Sequence, residues 1–412
     1  MITQNDLRKT VLDTVMRTPV VDMHTHLFSP PFGDFLLRGI DEVLTYHYLI
    51  AEVMRVAGIG PDQYYAMPKR GQADLIWREL FIERSPVSEA CRGVLTVLTK
   101  LGLDTASRNL DEFRKFFDSL DVNDHVDLVF KTANLEAAVM TNDPFDDAER
   151  EVWLRGFEKD ERFLPALRID PLLNDWPRTA DKLSGWGYKT DTTLNQGVFA
   201  EIRKFLAEWI ERTAPLYMAV SLPPGFSYPE ESPRGEIIEE CILPVAREHN
   251  VPFAMMIGVK RAVNPALGLA SDGVGLADVD SVVRLCGLFP KNKFMVTMLA
   301  RENQHELAVA ARKFANLLPF GCWWFLNDPS LIEEITRMRM ELLGLSFVPQ
   351  HSDARVLDQV VYKWEHSRRI IAKVLADKYA DLLHADWAID ESEIKRDAQR
   401  LLASNFRDFL AR

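Results

Sequence analysis

The chain lacks the cysteine pattern of a disulfide scaffold. Its four cysteines, Cys91, Cys241, Cys286 and Cys322, are scattered and form no C-x-x-C pair. They read as free thiols in a reducing compartment, and the expected location is the cytoplasm. A surplus of positive charge is also missing: 49 Lys and Arg face 61 Asp and Glu, for a formal net charge of −12. That balance argues against nucleic acid or an anionic membrane as a partner. An anionic ligand would need a local cluster of Arg or Lys. No apolar run approaches the ~20 residues that a membrane span requires. The opening stretch, MITQNDLRKTVLDTVMR, reads as a short amphipathic helix without the apolar core of a secretion signal. Internal repeats and low-complexity tracts are absent too.

What is present is the composition of a folded enzyme. Of the 412 residues, 47% are apolar and 27% charged, which excludes a disordered chain. Short apolar runs rich in β-formers recur along it: 19–26, 136–141, 162–169, 216–222, 252–258, 293–299, 318–325 and 345–353. They are continuous, not alternating, as in parallel strands covered on both faces. Helical patterns with apolar residues at three- and four-residue spacing lie between most of them, at 198–213, 234–250, 277–289, 304–317 and 330–344. Eight strands with intervening helices predict an α/β fold of the (β/α)8 TIM-barrel type. An open doubly wound sheet is the competitor, but no Gly-rich phosphate loop follows the first strand.

The first connection is the exception. Residues 27–135 contain no convincing strand and read as helices throughout. This predicts a helical insertion within a single 1–412 barrel unit, leaving from the C-terminal end of strand 1 and able to wall or lid the site. Residues 356–412 read as C-terminal helices. Asp390 followed by Glu393 marks the start of the last of these with a capping box.

The candidate chemistry begins at VVDMHTH, residues 20–26. Positions i and i+2 of a strand share a face, so His24 and His26 project together from the end of strand 1. They offer two imidazole ligands to one metal ion. By themselves they could equally be two surface histidines flanking a Thr. In a closed eight-stranded barrel, strand 8 lies beside strand 1. Strand 8 ends in HSDAR, which brings Asp353 within reach of both histidines. Two His and one carboxylate make a three-ligand divalent-metal site with open positions, although Asp353 could instead cap the following helix. Asp22 is either a partner of the ligands or a cap at the strand end.

In order along the chain, several stretches resemble the amidohydrolase superfamily and, within it, the uronate isomerases. H-x-H closes strand 1 and Asp closes strand 8. YHYLIAEVMRVAG (46–58) resembles that family's HYxxRxMR helix, and TNDPFDD (141–147) its turn after strand 2. LRID (167–170), GCWWFLND (321–328) and SDAR (352–355) resemble its strand-3, WWF-ND and D-x-R stretches. The resemblance implies a metal-dependent barrel that interconverts D-glucuronate with D-fructuronate and D-galacturonate with D-tagaturonate. One divalent ion, with Zn2+ the first choice, would sit on His24, His26 and Asp353. The chain also departs from superfamily patterns. Strands 4, 5 and 6 (YMAVSL, FAMMIG, FMVTML) carry no Lys, Glu or His ligand, and Met256 stands where many of these isomerases carry a His. A hydrolytic two-metal site is therefore hard to build. A mononuclear hydrolase or decarboxylase on the same scaffold is the alternative.

Aldose–ketose isomerisation moves a proton from C2 to C1 through an enediol, so it needs a base, a proton donor and oxyanion stabilisation. Asp353 is the candidate base and Tyr48 the candidate donor on the carbonyl side, unless Tyr48 merely packs in the insertion. His47 would assist ring opening or hold a hydroxyl. Arg168 fits bidentate recognition of the carboxylate. Arg355 would bind a substrate oxygen or tune Asp353, and Trp324 would wall the sugar. Arg301, just past strand 6, is a further substrate-binding candidate, or else a surface ion pair. The expected partner is a small hexuronate, with no nucleic acid and no membrane; a homo-oligomer is compatible with the sequence.

Overall fold

The computed structural model describes residues 4–412, so the first three residues of the amphipathic opening lie outside it. The helix Gln4–Arg17 leads into β1 (Val20–Thr25). The other strands are β2 (Leu135–Asn142), β3 (Phe163–Arg168), β4 (Met218–Leu222), β5 (Phe253–Ile257), β6 (Val259–Lys260), β7 (Gly273–Val274), β8 (Phe294–Met298) and β9 (Leu317–Pro319). Seven of them form one parallel sheet in the order β1-β2-β3-β4-β5-β8-β9, while β6 and β7 pair antiparallel as a separate short hairpin. Neighbouring strands of the sheet are also consecutive in the chain, apart from the hairpin. That is the order expected of β-strands connected by crossover helices.

The expected eighth strand is not a regular one. Residues 346–354 run irregularly between the sheet's two edges, which they join by a few backbone bonds. Val348 N donates to Pro319 O, and Gly321 N donates to Val348 O. Further on, Asp353 N donates to His24 O and His26 N to Ala354 O. Pro349 has no N–H to give, and Asp353 adopts a positive φ of 52°, so a continuous ladder cannot form here. The result is a curled α/β sheet of seven strands whose edges meet across a broken segment.

Two apolar layers follow from the strand pattern. Val21, Met23, Val139, Ala166, Tyr217, Ala254, Met256, Met295 and Phe320 pack inside the curled sheet. Val20, Ala138, Leu167, Val220, Met255 and Val296 face outward into the larger core beneath the helices. Burial on both faces explains the continuous apolar runs. The predicted helix 234–250 is interrupted by a wide π turn at Ile238–Ile242 between Pro233–Ile237 and Leu243–Glu248. Pro244 supplies no N–H to the preceding turn, which accounts for the break.

Between β1 and β2 the chain forms seven α-helices, from Ile40–Leu44 to Val122–Ala133. The Glu89–Lys100 and Val122–Ala133 helices pack on the long helix Gln359–His384, which follows the broken segment. The β6–β7 hairpin reaches across from the other side, where the Tyr65 hydroxyl donates to Leu267 O. The last helices begin as expected: the Asp390 side chain accepts from Glu393 N, and the Glu393 carboxylate accepts from Asp390 N. No described helix is long and apolar enough to cross a membrane.

Candidate active site

A bulge in β1 aims the two histidines. The register between β1 and β2 slips between Asp22 and Thr25. Met23 belongs to the apolar interior of the sheet, and His24, its neighbour, also turns inward to meet Tyr217 of that interior. Simple alternation would have put them on opposite sides; an extra residue in the ladder re-aims a side chain in this way. Asp22 points outward. Its Oδ1 accepts from Ser352 N and its Oδ2 from Trp364 Nε1, at 3.0 and 2.8 Å. It therefore fastens the broken segment and the long helix to β1 and does not touch either histidine ring. Burial pushes its carboxyl up to about 6, against those hydrogen bonds.

His24, His26 and Asp353 converge at the mouth of the sheet. Asp353 Oδ1 lies 3.8 Å from His24 Nε2 and 3.4 Å from His26 Nε2. One donor atom from each of the three fits within 4.8 Å of the others. Two atoms about 2.0–2.2 Å from a shared ion lie roughly 3–3.5 Å apart, so the spacing suits a divalent cation. The chemistry of the donors agrees. His24 Nε2 and Asp353 Oδ1 are buried and have no hydrogen-bond partner among the described residues. Burial depresses both imidazoles, His24 well below its usual range, which leaves them neutral with a lone pair to give. Neutral imidazoles and an ionised carboxylate, unpaired and facing one another, are a fit for a metal ion.

A cavity of about 610 Å3 opens over this triad. Its walls include Tyr46, His47, Arg168, Met256, Trp324 and Arg355. Arg168 is committed on one edge, with Nε and Nη2 donating to Asp170 at 3.0 and 3.3 Å. Asp170 holds its guanidinium firmly protonated. Arg355 is exposed at the mouth and has no ion pair among the described residues. His47 is driven down to about 3 by burial, so it is neutral at physiological pH. Two wall residues, Asp353 and Trp324, hold positive φ angles of 52° and 48° although neither is Gly. Such backbone costs about 1–3 kcal/mol per residue and concentrates at sites of function.

One expected placement needs correction. Arg301 is not in the cavity: its side chain is 56% exposed and pairs with Glu334 at 3.0 Å. A partner 33 residues away, on the helix Pro329–Leu343, captures it, and its proximity to the end of the strand carried no information about direction. Tyr48 lines not the main cavity but a smaller neighbouring pocket of about 290 Å3, which shares His47 and Trp324 as walls. Its hydroxyl is buried there and unpartnered. Tyr46, not singled out from the sequence, is the tyrosine of that helix start that lines the main cavity. The i, i+2 spacing across a helix N-terminus could have suggested that the two tyrosines diverge.

His351 was also passed over. It is fully buried, both ring nitrogens lack partners, and its ring centroid lies 5.4 Å from that of His24. Burial brings it down to about 4. Gly321 makes room for it, since a Cβ there would fall 1.8 Å from His351 Nδ1.

These features define an enzyme of the α/β class with one metal-type centre at the C-terminal mouth of a curled parallel sheet. A uronate isomerase from Bacillus halodurans C-125 superposes with a TM-score of 0.99 and is 59% identical over 100% of this chain and 98% of its own. The chain belongs to the uronate isomerase family. A uronate isomerase from Thermotoga maritima (TM-score 0.80, 16% identical, 100% of this chain and 99% of that one) shares the fold. So does a glucuronate isomerase from Caulobacter crescentus (TM-score 0.80, 14% identical, 99% and 94%). A scan against protein-family models finds no match, and a search of curated proteins finds none.

Proposed function

We propose that this enzyme isomerises hexuronates, D-glucuronate to D-fructuronate and D-galacturonate to D-tagaturonate, at the His24–His26–Asp353 centre. The observation that carries the reading is where the unsatisfied polar atoms gather. Of the sixteen buried side-chain N and O atoms without a partner among the described residues, seven belong to His24, His47, Tyr48, Trp324, His351 and Asp353. Leaving such groups unpaired costs about 1–3 kcal/mol each, so a site that keeps several open is shaped for a ligand rich in oxygen. A uronate offers one at every carbon.

In this reading the Asp353 carboxylate takes the C2 proton and returns it to C1, while O1 gains a proton and O2 loses one. Tyr48, whose hydroxyl has no protein partner, is the donor on the carbonyl side, from the pocket that shares His47 and Trp324 with the main cavity. His47, neutral at working pH, accepts a hydroxyl proton during ring opening. Arg168 presents its uncommitted edge to the C6 carboxylate, and the free guanidinium of Arg355 holds a further substrate oxygen. His24, His26 and Asp353 would hold a divalent ion, which would supply Lewis-acid polarisation of substrate oxygens when bound. Zn2+ suits the His2Asp set, which also accepts Mn2+, Fe2+ or Co2+. Residues 346–354 serve as a broken eighth stave of a (β/α)8 barrel, and the 27–135 insertion walls the site as a subdomain.

Proton NMR of each hexuronate with the protein in D2O, before and after chelation, tests the reading. Ketose signals with label at C1, or direct C2-to-C1 proton transfer, are expected, with loss of turnover on chelation. Absence of change in both hexuronates overturns it.

A further inference from the structure

Each metal-type histidine is backed by a hydroxyl arranged in the same way. Tyr217, just before β4, donates its hydroxyl proton to Met23 O at 2.6 Å, and the same oxygen lies 3.0 Å from His24 Nδ1. Thr141, on β2, donates to Thr25 O at 3.0 Å, and its oxygen lies 2.9 Å from His26 Nδ1. In both cases the carbonyl that takes the proton belongs to the residue immediately before the histidine. A hydroxyl has one proton, and here a backbone carbonyl takes it. Toward the imidazole each oxygen is left only as an acceptor, so Nδ1 must carry the hydrogen. Nε2 is then the bare nitrogen, and in both rings Nε2 is the atom that faces Asp353. Tyr217 is fully buried and Thr141 nearly so, leaving little room for water to replace either bond.

We propose that Tyr217 and Thr141 are the positioning residues that fix both histidines in the Nδ1–H tautomer and so prepare the centre for a metal ion before one arrives. The proposal rests on the metal reading of the triad, but its first consequence is a property of the metal-free protein. Partners that fix a ligand's tautomer typically contribute a factor of roughly 10–100 to metal affinity. Because each hydroxyl serves a different ring, the two contributions should multiply.

The test uses full-length protein stripped of metal and labelled with 15N-histidine. There are only nine histidines, so long-range nitrogen–proton correlations can be assigned by single substitutions. In the wild type His24 and His26 should both show Nδ1–H. Tyr217→Phe should release His24 alone into a tautomer mixture, and Thr141→Val should release His26 alone. Zn2+ affinity, measured against a chromogenic chelator, should fall roughly 10–100-fold in each variant. Thr141→Ser, which keeps the hydroxyl, should restore both readouts. If Tyr217→Phe does not fold, the Thr141 pair carries the test. Unchanged tautomers in the variants, or altered tautomers with wild-type Zn2+ affinity, would overturn the proposal. A wild type that shows both Nδ1–H signals yet binds no Zn2+ would instead sink the metal reading while leaving the tautomer assignment standing.

Discussion

The molecule contains two buried His–Asp constellations, and they are built to opposite ends. His125 and Asp358 are fully buried and hydrogen-bonded at 2.6 Å. The second Asp358 oxygen accepts from Gly39 N at 2.7 Å, so the carboxylate has a partner on each side. This pair clamps the helix Val122–Ala133 and the chain around Gly39 to the start of the long helix. At the sheet mouth the corresponding atoms stand 3.4 and 3.8 Å apart, and two of them have no hydrogen-bond partner at all. Residue type is alike in the two places, and His24 and Asp353 are buried like the closed pair, with His26 alone partly exposed. What differs is whether the fold lets the groups close on each other. A closed pair stabilises; a pair held open stores an affinity for something else, at a cost that the surrounding structure must offset.

Substitutions at each constellation should separate these two roles. Asp353→Asn keeps the shape of the open centre but removes its base, and kcat should fall by about 10²–10⁴-fold with little change in unfolding. Near-wild-type turnover by NMR assay would strip Asp353 of that role. Asp358→Ala should do the reverse: about 3 kcal/mol lost in denaturant unfolding, with turnover preserved in the folded fraction. If it stops turnover without destabilising, the closed pair is not merely structural. Arg168→Met should cost about 2 kcal/mol in kcat/KM, mainly through KM, because it removes the proposed charge-assisted partner of the substrate carboxylate. An unchanged KM would take Arg168 out of the site. Arg301→Ala lies in neither constellation and should leave both the unfolding midpoint and kcat/KM close to wild type.

The contrast also explains which features could be read from the sequence. VVDMHTH announced a strand ending in two imidazoles because its period-two spacing and β-branched lead are local. Asp353 followed from topology, since the last segment had to return beside the first. Other features depend on geometry that local sequence does not encode. The bulge that turns His24 inward is a slip of register between two strands more than a hundred residues apart. Tyr217 and Thr141 look like ordinary strand residues until their oxygens are seen against His24 and His26. The irregular course of 346–354 was hidden because LSFVPQHSD is as apolar as a strand, although its Pro349 gave a warning. His125 sits on an amphipathic helix and gave no hint of its partner 233 residues further on.

One consequence concerns how the centre comes into being during synthesis. Its three proposed ligands lie at the two ends of the sheet's strand order, with His24 and His26 at the end of β1 and Asp353 on the segment that joins the last edge to the first. At about 5–20 residues per second, a ribosome needs roughly 15–65 s to travel from His24 to Asp353. For all of that time the nascent chain holds two imidazoles with no carboxylate to complete them. An ion captured then would be held by two ligands and could exchange. On the metal reading proposed above, selection of the metal would fall at the end of folding, when 346–354 docks, and the last segment made would decide what the first one keeps.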